Sequence, residues 1–427
     1  MVTNSCRISV TSFLLILLSV ISFGKLNAQT GSLVIAGGAL TSTNSEIFHK
    51  FIALAGGNNK ATIGIVAAAS EKPVTYGNTT RQNFIQHGVD SSRIFILPIA
   101  CVDDLSTPDD ESKWVANVSS NSVVELISKC SGIWFTGGDQ MRITSTLAPN
   151  NTETAALKAI RNVYATGGVV GGTSAGAAIM SEIMIAAGSS LEGLRYGFTN
   201  EYSKTSQQEE GKIHLSSGLG FLKNVIIDQH FDRKARIGRL VMSTFENKSK
   251  NLLGYGVDEN TALIVMENGK TGRVIGEGGV TIVNTRETIG GKTSDGQFWF
   301  KKIRVSYIEA GDVVEISSGK ITPNPLKKST IQNEYFSFSN KIAGGTLHPN
   351  GLFKHQLSYL LVDNQLLNEV KSYSFFPDGK GFEITLRKDS LTKGYWAYLG
   401  DEVDRYTVID AEMEITPVDI SIQKNSN

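Results

Sequence analysis

Apolar residues recur along this chain in two alternating rhythms. Short apolar runs at 33–36, 61–69, 93–100, 132–136 and 169–170 are separated by longer amphipathic stretches at 46–54, 78–87, 113–128 and 152–164. The short runs read as strands and the stretches as helices. Apolar positions three and four apart line one face of a helix, whereas a strand buried on both sides is apolar throughout. Strands and helices alternating in this order predict a doubly wound α/β domain with a mainly parallel sheet. Several strands run into glycine pairs, Gly37-Gly38, Gly137-Gly138 and Gly171-Gly172. Ligands in such folds bind at the carboxyl ends of the strands, so these turns mark the face where chemistry is expected.

Beyond Gly176 the rhythm loosens. The run 177–184 reads as helix, 193–211 as a polar surface loop, 222–227 as a strand and 233–244 as a basic helix. Runs 252–257 and 261–266 read as strands around Asp258-Glu259-Asn260, and 272–283 as a closing hairpin. From residue 322 the pattern changes to short aromatic and apolar alternations at 335–339, 372–376, 382–386 and 406–415. These predict a small C-terminal β-rich domain, 322–427, that carries no evident chemistry.

The N-terminus is patterned differently again. Arg7 precedes a nearly unbroken apolar run at 10–23, and Leu26-Asn27-Ala28 follows it. A basic start, an apolar run too short to span a bilayer comfortably and a small-residue cleavage site predict a signal peptide over 1–28. The expected mature chain begins near Gln29, is secreted or periplasmic, and has no membrane span.

Composition narrows the function classes. The 427 residues carry 41 Lys+Arg against 41 Asp+Glu, so no excess of basic charge argues for a nucleic-acid partner. Cys101 and Cys130 fall at opposite ends of predicted strands, which disfavours a disulfide. No Cys/His group has zinc spacing, and neither a catalytic metal nor another cofactor is expected.

The candidate chemistry centres on Gly172-Thr173-Ser174-Ala175-Gly176, a G-x-S-x-G pattern between a predicted strand and a predicted helix. This sharp turn lifts a nucleophilic serine above a sheet, although a helix-capping serine would also fit it. A serine nucleophile needs a base, a group orienting the base, and an oxyanion hole. His49 and His87 fall on predicted helices. His214 begins a short strand and stays open. His230 directly follows the strand 222–227 and comes after Ser174 in the chain, which is the order of elbow-type hydrolases. For the acid, Asp228, Glu182, Glu192, Asp258 and Glu259 all remain open on spacing alone. Backbone N–H groups of Ala175 and Gly138 suit an oxyanion hole.

Taken together, these segments carry a family resemblance: the serine turn, Phe135-Thr136-Gly137-Gly138-Asp139-Gln140, Asp228-Gln229-His230-Phe231, Arg236, Gly238-Arg239-Leu240 and Gly256-Val257-Asp258-Glu259-Asn260. The chain resembles the cyanophycinases of peptidase family S51, which also contains aspartyl dipeptidase (peptidase E), over residues 32–321. The resemblance implies a class I glutamine amidotransferase-like fold for 29–321, with serine in place of the usual cysteine nucleophile. It implies hydrolysis of aspartyl peptide bonds, releasing β-Asp-Arg from cyanophycin, and leaves a homodimer open. Carried over by position, Ser174 is the nucleophile, His230 the base and Glu192 the acid, since Glu192 stands at the family's offset from the serine. Gln140, Asp228, Gln229, Arg236, Arg239 and Asn260 match positions that line the family's site. Lys234 and Thr144 depart from it, where relatives carry arginine and lysine. An aspartyl or isoaspartyl dipeptidase, and a non-catalytic binding protein on the same fold, are the alternative readings.

Overall fold

The central strand, β1 (Ser32–Ala36), is apolar on both sides. Leu33 and Ile35 enter one core, while Val34 and Ala36 enter another. Such a strand is stable only when both faces are covered. The computed structural model describes residues 31–202, 208–267, 269–339, 341–348 and 351–421; the segment read as a signal peptide lies outside them. In these, β1 joins β2 (Ile63–Val66), β3 (Ile94–Leu97), β4 (Gly132–Phe135) and β5 (Val169–Thr173) in a parallel set ordered β1-β5-β4-β2-β3. The connecting helices are α1 (Ser45–Leu54), α2 (Pro73–Gln86), α3 (Asn121–Ser128), α4 (Gln140–Leu147) and α5 (Ala155–Ala165).

One face of this sheet is closed by Phe48 and Phe51 of α1 and Phe84 of α2, packed around Trp134 of β4. Phe51 and Phe84 meet the indole edge-on, with centroids 5.0 and 5.7 Å away. The opposite face receives Ile127 of α3 and Leu157 and Ile160 of α5. Helices on both faces are what the alternating pattern predicts.

The chain departs from expectation just after Ser174. The run read as a helix gives only one turn, α6 (Ala175–Ala178), and then a strand, β6 (Ser181–Ala187). This strand opens a second, mixed sheet. It continues through α7 (Ser190–Tyr196), β7 (Phe198–Thr199), β8 (Ile213–Ser217), β9 (Leu222–Asp228), α8 (Ile237–Glu246) and β10 (Leu253–Val257). Next, β11 (Thr261–Met266) returns to the first sheet and pairs antiparallel with β1. The segment expected to form a closing hairpin is divided between sheets. β12 (Thr271–Gly276) pairs with β11 in the first, whereas β13 (Val280–Asn284) pairs with β10 in the second. One apolar core between the two sheets holds Leu33, Phe135 and Val170 on one side and Ile227, Tyr255 and Ile282 on the other. The architecture is therefore mixed α/β, with a mainly parallel first sheet and a large mixed second one.

Residues beyond 322 are rich in strand, and their strands extend the second sheet. After β14 (Ile289–Lys292), β15 (Phe298–Ile308) pairs with the long strand Arg405–Asp419. That strand also carries Lys380–Arg387 and Lys393–Ala397. The first sheet ends with the strand Ile321–Thr322, and the second runs on from β15 into these C-terminal strands. No helix among the described residues is long and apolar enough to cross a membrane.

A buried ion pair fastens the C-terminal strands. The fully buried Lys327 ammonium donates to Asp312 Oδ2 at 2.8 Å, Tyr406 O at 3.1 Å and Thr407 Oγ1 at 2.9 Å. All three donors are thereby used, which lets the charge be buried at all. Replacing Lys327 by Met leaves Asp312 charged and unpaired. Urea unfolding of Lys327→Met should show a loss of about 3–5 kcal/mol; a loss under 1 kcal/mol would show that the pair is not buried as described.

Candidate active site

A sharp turn lies at the end of β5. Ser174 adopts φ 55° and ψ −110°, outside the regions that β5 and α6 occupy. Holding a non-glycine residue there costs about 1–3 kcal/mol, and such strain gathers where a side chain must be presented. The glycines of the turn are required by contact. A Cβ on Gly172 would lie 2.7 Å from the carbonyl oxygen of Gly176. The strand and the helix that follows could not approach with any side chain between them.

Three chain segments meet on the turn after β1. Successive carbonyls of Ala36, Gly37 and Gly38 accept from the amides of Ser174 at 3.0 Å, His230 at 2.6 Å and Asn260 at 2.9 Å. The result is a linear array of side chains. His230 Nε2 lies 3.0 Å from Ser174 Oγ, and His230 Nδ1 lies 2.6 Å from Glu259 Oε1. His230 is itself at φ 47°. Gly38 admits the ring: a Cβ there would stand 2.3 Å from His230 Nε2.

This is the arrangement of an activated serine. A base at hydrogen-bond distance can take the hydroxyl proton, and a carboxylate on the far ring nitrogen fixes the tautomer. Burial pushes the imidazole below its ordinary value of 6.5, against the raising effect of Glu259; Lys234 and Arg236 push the same way as burial. The ring is thus held neutral, as a base must be. The amides of Gly138 and Ala175 donate no hydrogen bond among the described residues and remain available to an oxyanion. Gly137 adjoins the serine, and with Gly138 it lines a cavity of about 850 Å³ whose walls include Lys72, Asp139, Arg142 and Tyr202.

Glu192 does not reach His230. It is the third residue of α7, and its carboxylate accepts from Ser189 Oγ at 3.0 Å and from the Gly211 amide at 2.5 Å. Ser189 Oγ in turn accepts from the Glu192 amide at 3.1 Å. Ser189-Ser190-Leu191-Glu192 has the sequence of a capping box, but the Ser189 amide donates to Gly211 O, so the carboxylate engages the helix end through the Ser189 hydroxyl. Glu259 stands at the imidazole instead. It follows β10, which runs parallel to β9 with Gly256 beside Asp228, so the two strand ends lie together.

Among the other expected site residues, Gln229 sits nearest the serine, its Oε1 3.5 Å from Ser174 Oγ. Asp228 and Arg239 are buried and face each other in a two-pronged pair at 2.8 and 2.5 Å, and Arg239 also donates to Gly188 O. Arg236 donates to Gln229 O at 2.6 Å, and burial lowers its guanidinium to about 9. Asn260 uses its side chain to hold Thr41 and Asn44. Gln140 donates to Ile185 O and Ala186 O, away from the serine. His214 bonds to Thr199 O, and His87 to Ser42 O. Lys234 pairs with Glu209, and Thr144 bonds within α4.

Close to the array lie the buried Asp258 and the half-buried Asp232. Asp258 accepts from the amides of Asp232 and Gly279 and from Tyr307 Oη. Burial, reinforced by repulsion from Asp232, raises it from 3.8 to about 7.

A family model described as peptidase family S51 matches residues 115–272, a span that includes Ser174, His230 and Glu259. A cyanophycinase of Synechococcus elongatus is 33% identical over 243 residues, covering 57% of this chain and 64% of that protein. The cyanophycinase of Nostoc sp. (strain PCC 7120) is 31% identical over 260 residues, covering 61% of this chain and 75% of the relative. That of Geminocystis herdmanii is 33% identical over 255 residues, covering 59% and 80%.

The raised Asp258 has a thermodynamic consequence. Folding favours its protonated form, so its stabilising contribution is complete below 3.8 and is lost as pH rises through about 7. Melting temperatures of the wild type should therefore fall across that window relative to Asp258→Asn, whose own curve is flatter. Parallel curves would exclude the shift.

Proposed function

This chain belongs to peptidase family S51, and we propose that it is a serine-type hydrolase of the cyanophycinase kind. The observation that carries the reading is the imidazole of His230, held between Ser174 Oγ at 3.0 Å and Glu259 Oε1 at 2.6 Å. In the proposed reaction His230 Nε2 removes the hydroxyl proton as Ser174 Oγ attacks the carbonyl carbon. The developing oxyanion is met by the amides of Gly138 and Ala175. His230 returns the proton to the leaving amine, and water then hydrolyses the acyl-enzyme by the same route. Glu259 orients the ring and balances its charge while it is protonated.

For the substrate we propose an aspartyl peptide backbone of cyanophycin type, as the relatives' names suggest. Lys72 and Arg142, the latter paired with Asp139 and Glu71, line the cavity beside the serine and suit carboxylates on such a substrate. The same two cations favour a second reading, an aspartyl or isoaspartyl dipeptidase that grips a free carboxylate. Cyanophycin offered beside Asp-X and β-Asp-X dipeptides separates the two. Labelling of Ser174 by a serine-reactive phosphonate would count against a non-catalytic binding protein. We further read the parallel sheet as the class I glutamine amidotransferase-like arrangement, and the chain as exported through its N-terminal segment.

Ser174→Ala should abolish turnover with little change in melting temperature, because a buried turn keeps its backbone. Glu259→Gln should lower kcat by roughly 10²–10⁴-fold, the range for an orienting acid. Glu192→Gln should instead cost about 0.5–2 kcal/mol of stability, as cap losses do, with kcat nearly kept. The opposite ranking would return the acid to Glu192. The imidazole must be neutral to act and burial disfavours its charged form, so activity should persist as pH falls below 6.5 before its acid limb appears. An acid limb centred above 6.5 would contradict this.

A further inference from the structure

The C-terminal strands hold a cavity of about 570 Å³ that no part of the proposed reaction uses. Its walls are aromatic and acidic. Trp396 and Tyr406 are cross-strand partners, so their side chains share a face. Tyr398 meets the Trp396 ring edge-on at 5.0 Å, and Tyr335 and Phe336 supply the remaining aromatic lining, beside the polar Ser329, Thr330 and Asn333. Large aromatic surface is left in water around it: Tyr335 is 84% exposed, Tyr398 54% and the neighbouring Phe338 47%. Phe338 stacks on Phe336 at 5.2 Å.

Two carboxylates, Asp363 and Asp404, complete the walls, and every contact they make is to a neutral donor. Asp404 accepts from Trp396 Nε1 and Tyr359 Oη, each at 2.7 Å. Asp363 accepts from the Tyr335 amide at 2.8 Å and Tyr406 Oη at 2.7 Å. Among the described residues neither carboxylate has an ion-pair partner, in contrast to Asp312 and Glu309 close by, which pair with lysines. Lys328, the cross-strand partner of Trp396, is the one cation in the lining, against two carboxylates. Burial first, and these carboxylates in part, hold the phenols of Tyr359 and Tyr406 above their ordinary value, so they stay neutral donors. A negative cavity walled by ring faces is the setting in which organic cations bind.

We propose that this cavity is a binding site for an organic cation, a guanidinium group carried on an aliphatic stem, as in an arginyl residue. Guanidinium suits it better than ammonium, because its plane stacks on aromatic rings while its edge donates to carboxylates. The volume accommodates a whole arginyl residue rather than a bare ion. The site is independent of the proposed hydrolysis: none of its lining residues bonds to Ser174, His230 or Glu259. In a chain that does act on an arginine-bearing polymer, it would serve as a second hold on the substrate.

The test uses the full chain labelled with 5-fluorotryptophan. Of the four tryptophans, Trp396 alone lines this cavity, and its ¹⁹F resonance is the one missing from Trp396→Phe. Should that variant not fold, Tyr398→Ala at an exposed position assigns the same resonance by perturbing it. Titration with Nα-acetyl-arginine methylamide should shift the Trp396 resonance saturably, and the neutral citrulline analogue should not. Asp404→Asn should weaken the arginine probe at least about ten-fold, as loss of a charge-assisted contact does. An equal response to the citrulline analogue, a stronger one to methyl glucoside, or none to the arginine probe would overturn the proposal.

Discussion

The geometry of the candidate site depends on three consecutive carbonyl groups. Ala36, Gly37 and Gly38, at the end of the central strand, accept from the amides of Ser174, His230 and Asn260. These residues lie far apart in the chain and arrive from different strands. The β1 turn sets their mutual positions before any side chain contributes. A backbone anchor of this kind holds the reacting groups to hydrogen-bond precision and needs little reorganisation during reaction. It also explains why Ser174, His230 and Asn260 all tolerate positive φ. Each leaves its strand sharply, and the acceptor on β1 compensates the strain.

The second sheet is as important to this site as the first. β9 delivers His230 and β10 delivers Glu259, while β5 of the first sheet delivers the serine. The loop Asp258-Glu259-Asn260 is one of the points where the chain passes from one sheet to the other, so Glu259 lies at a crossing. The carboxylates of Asp258 and Asp232 extend the connection outward. Asp232 accepts from the amides of Phe353 and Lys354, and Lys354 Nζ bonds to Glu309, 2.6 Å away. The C-terminal segment is thereby fastened two residues from His230. Burial raises both acids, and repulsion from Asp232 adds to it at Asp258, a cost that the surrounding amide donors partly offset.

Serine and histidine were legible for a simple reason: each directly follows a strand whose composition is unambiguous. The acid was not, because carboxylates are common and the distance that matters runs through space. Glu192 matched a sequence offset, yet Ser189 three residues earlier already spelled a capping box. That local motif is worth about 1 kcal/mol to its helix and commits the carboxylate to the helix end. Among the residues expected to line the site, Asp228 with Arg239 and Asn260 with Asn44 satisfy one another. Opposite charges and complementary amides brought together in a dry interior pair first with whatever is nearest.

The sequence by itself determined the alternation of strand and helix through residue 170, the serine turn and the histidine after its strand. Those features rest on local rules: side-chain period, glycine at close approaches, and the polarity of strand ends. Only the tertiary structure decided that the stretch after the serine turn is a strand, that 271–284 divides between two sheets, and that Glu259 faces the imidazole. A short apolar run satisfies helix and strand equally in isolation, and the choice falls to the partner surface that covers it. Likewise, a carboxylate acquires its role from the group it meets across the fold, and sheet topology fixes that meeting.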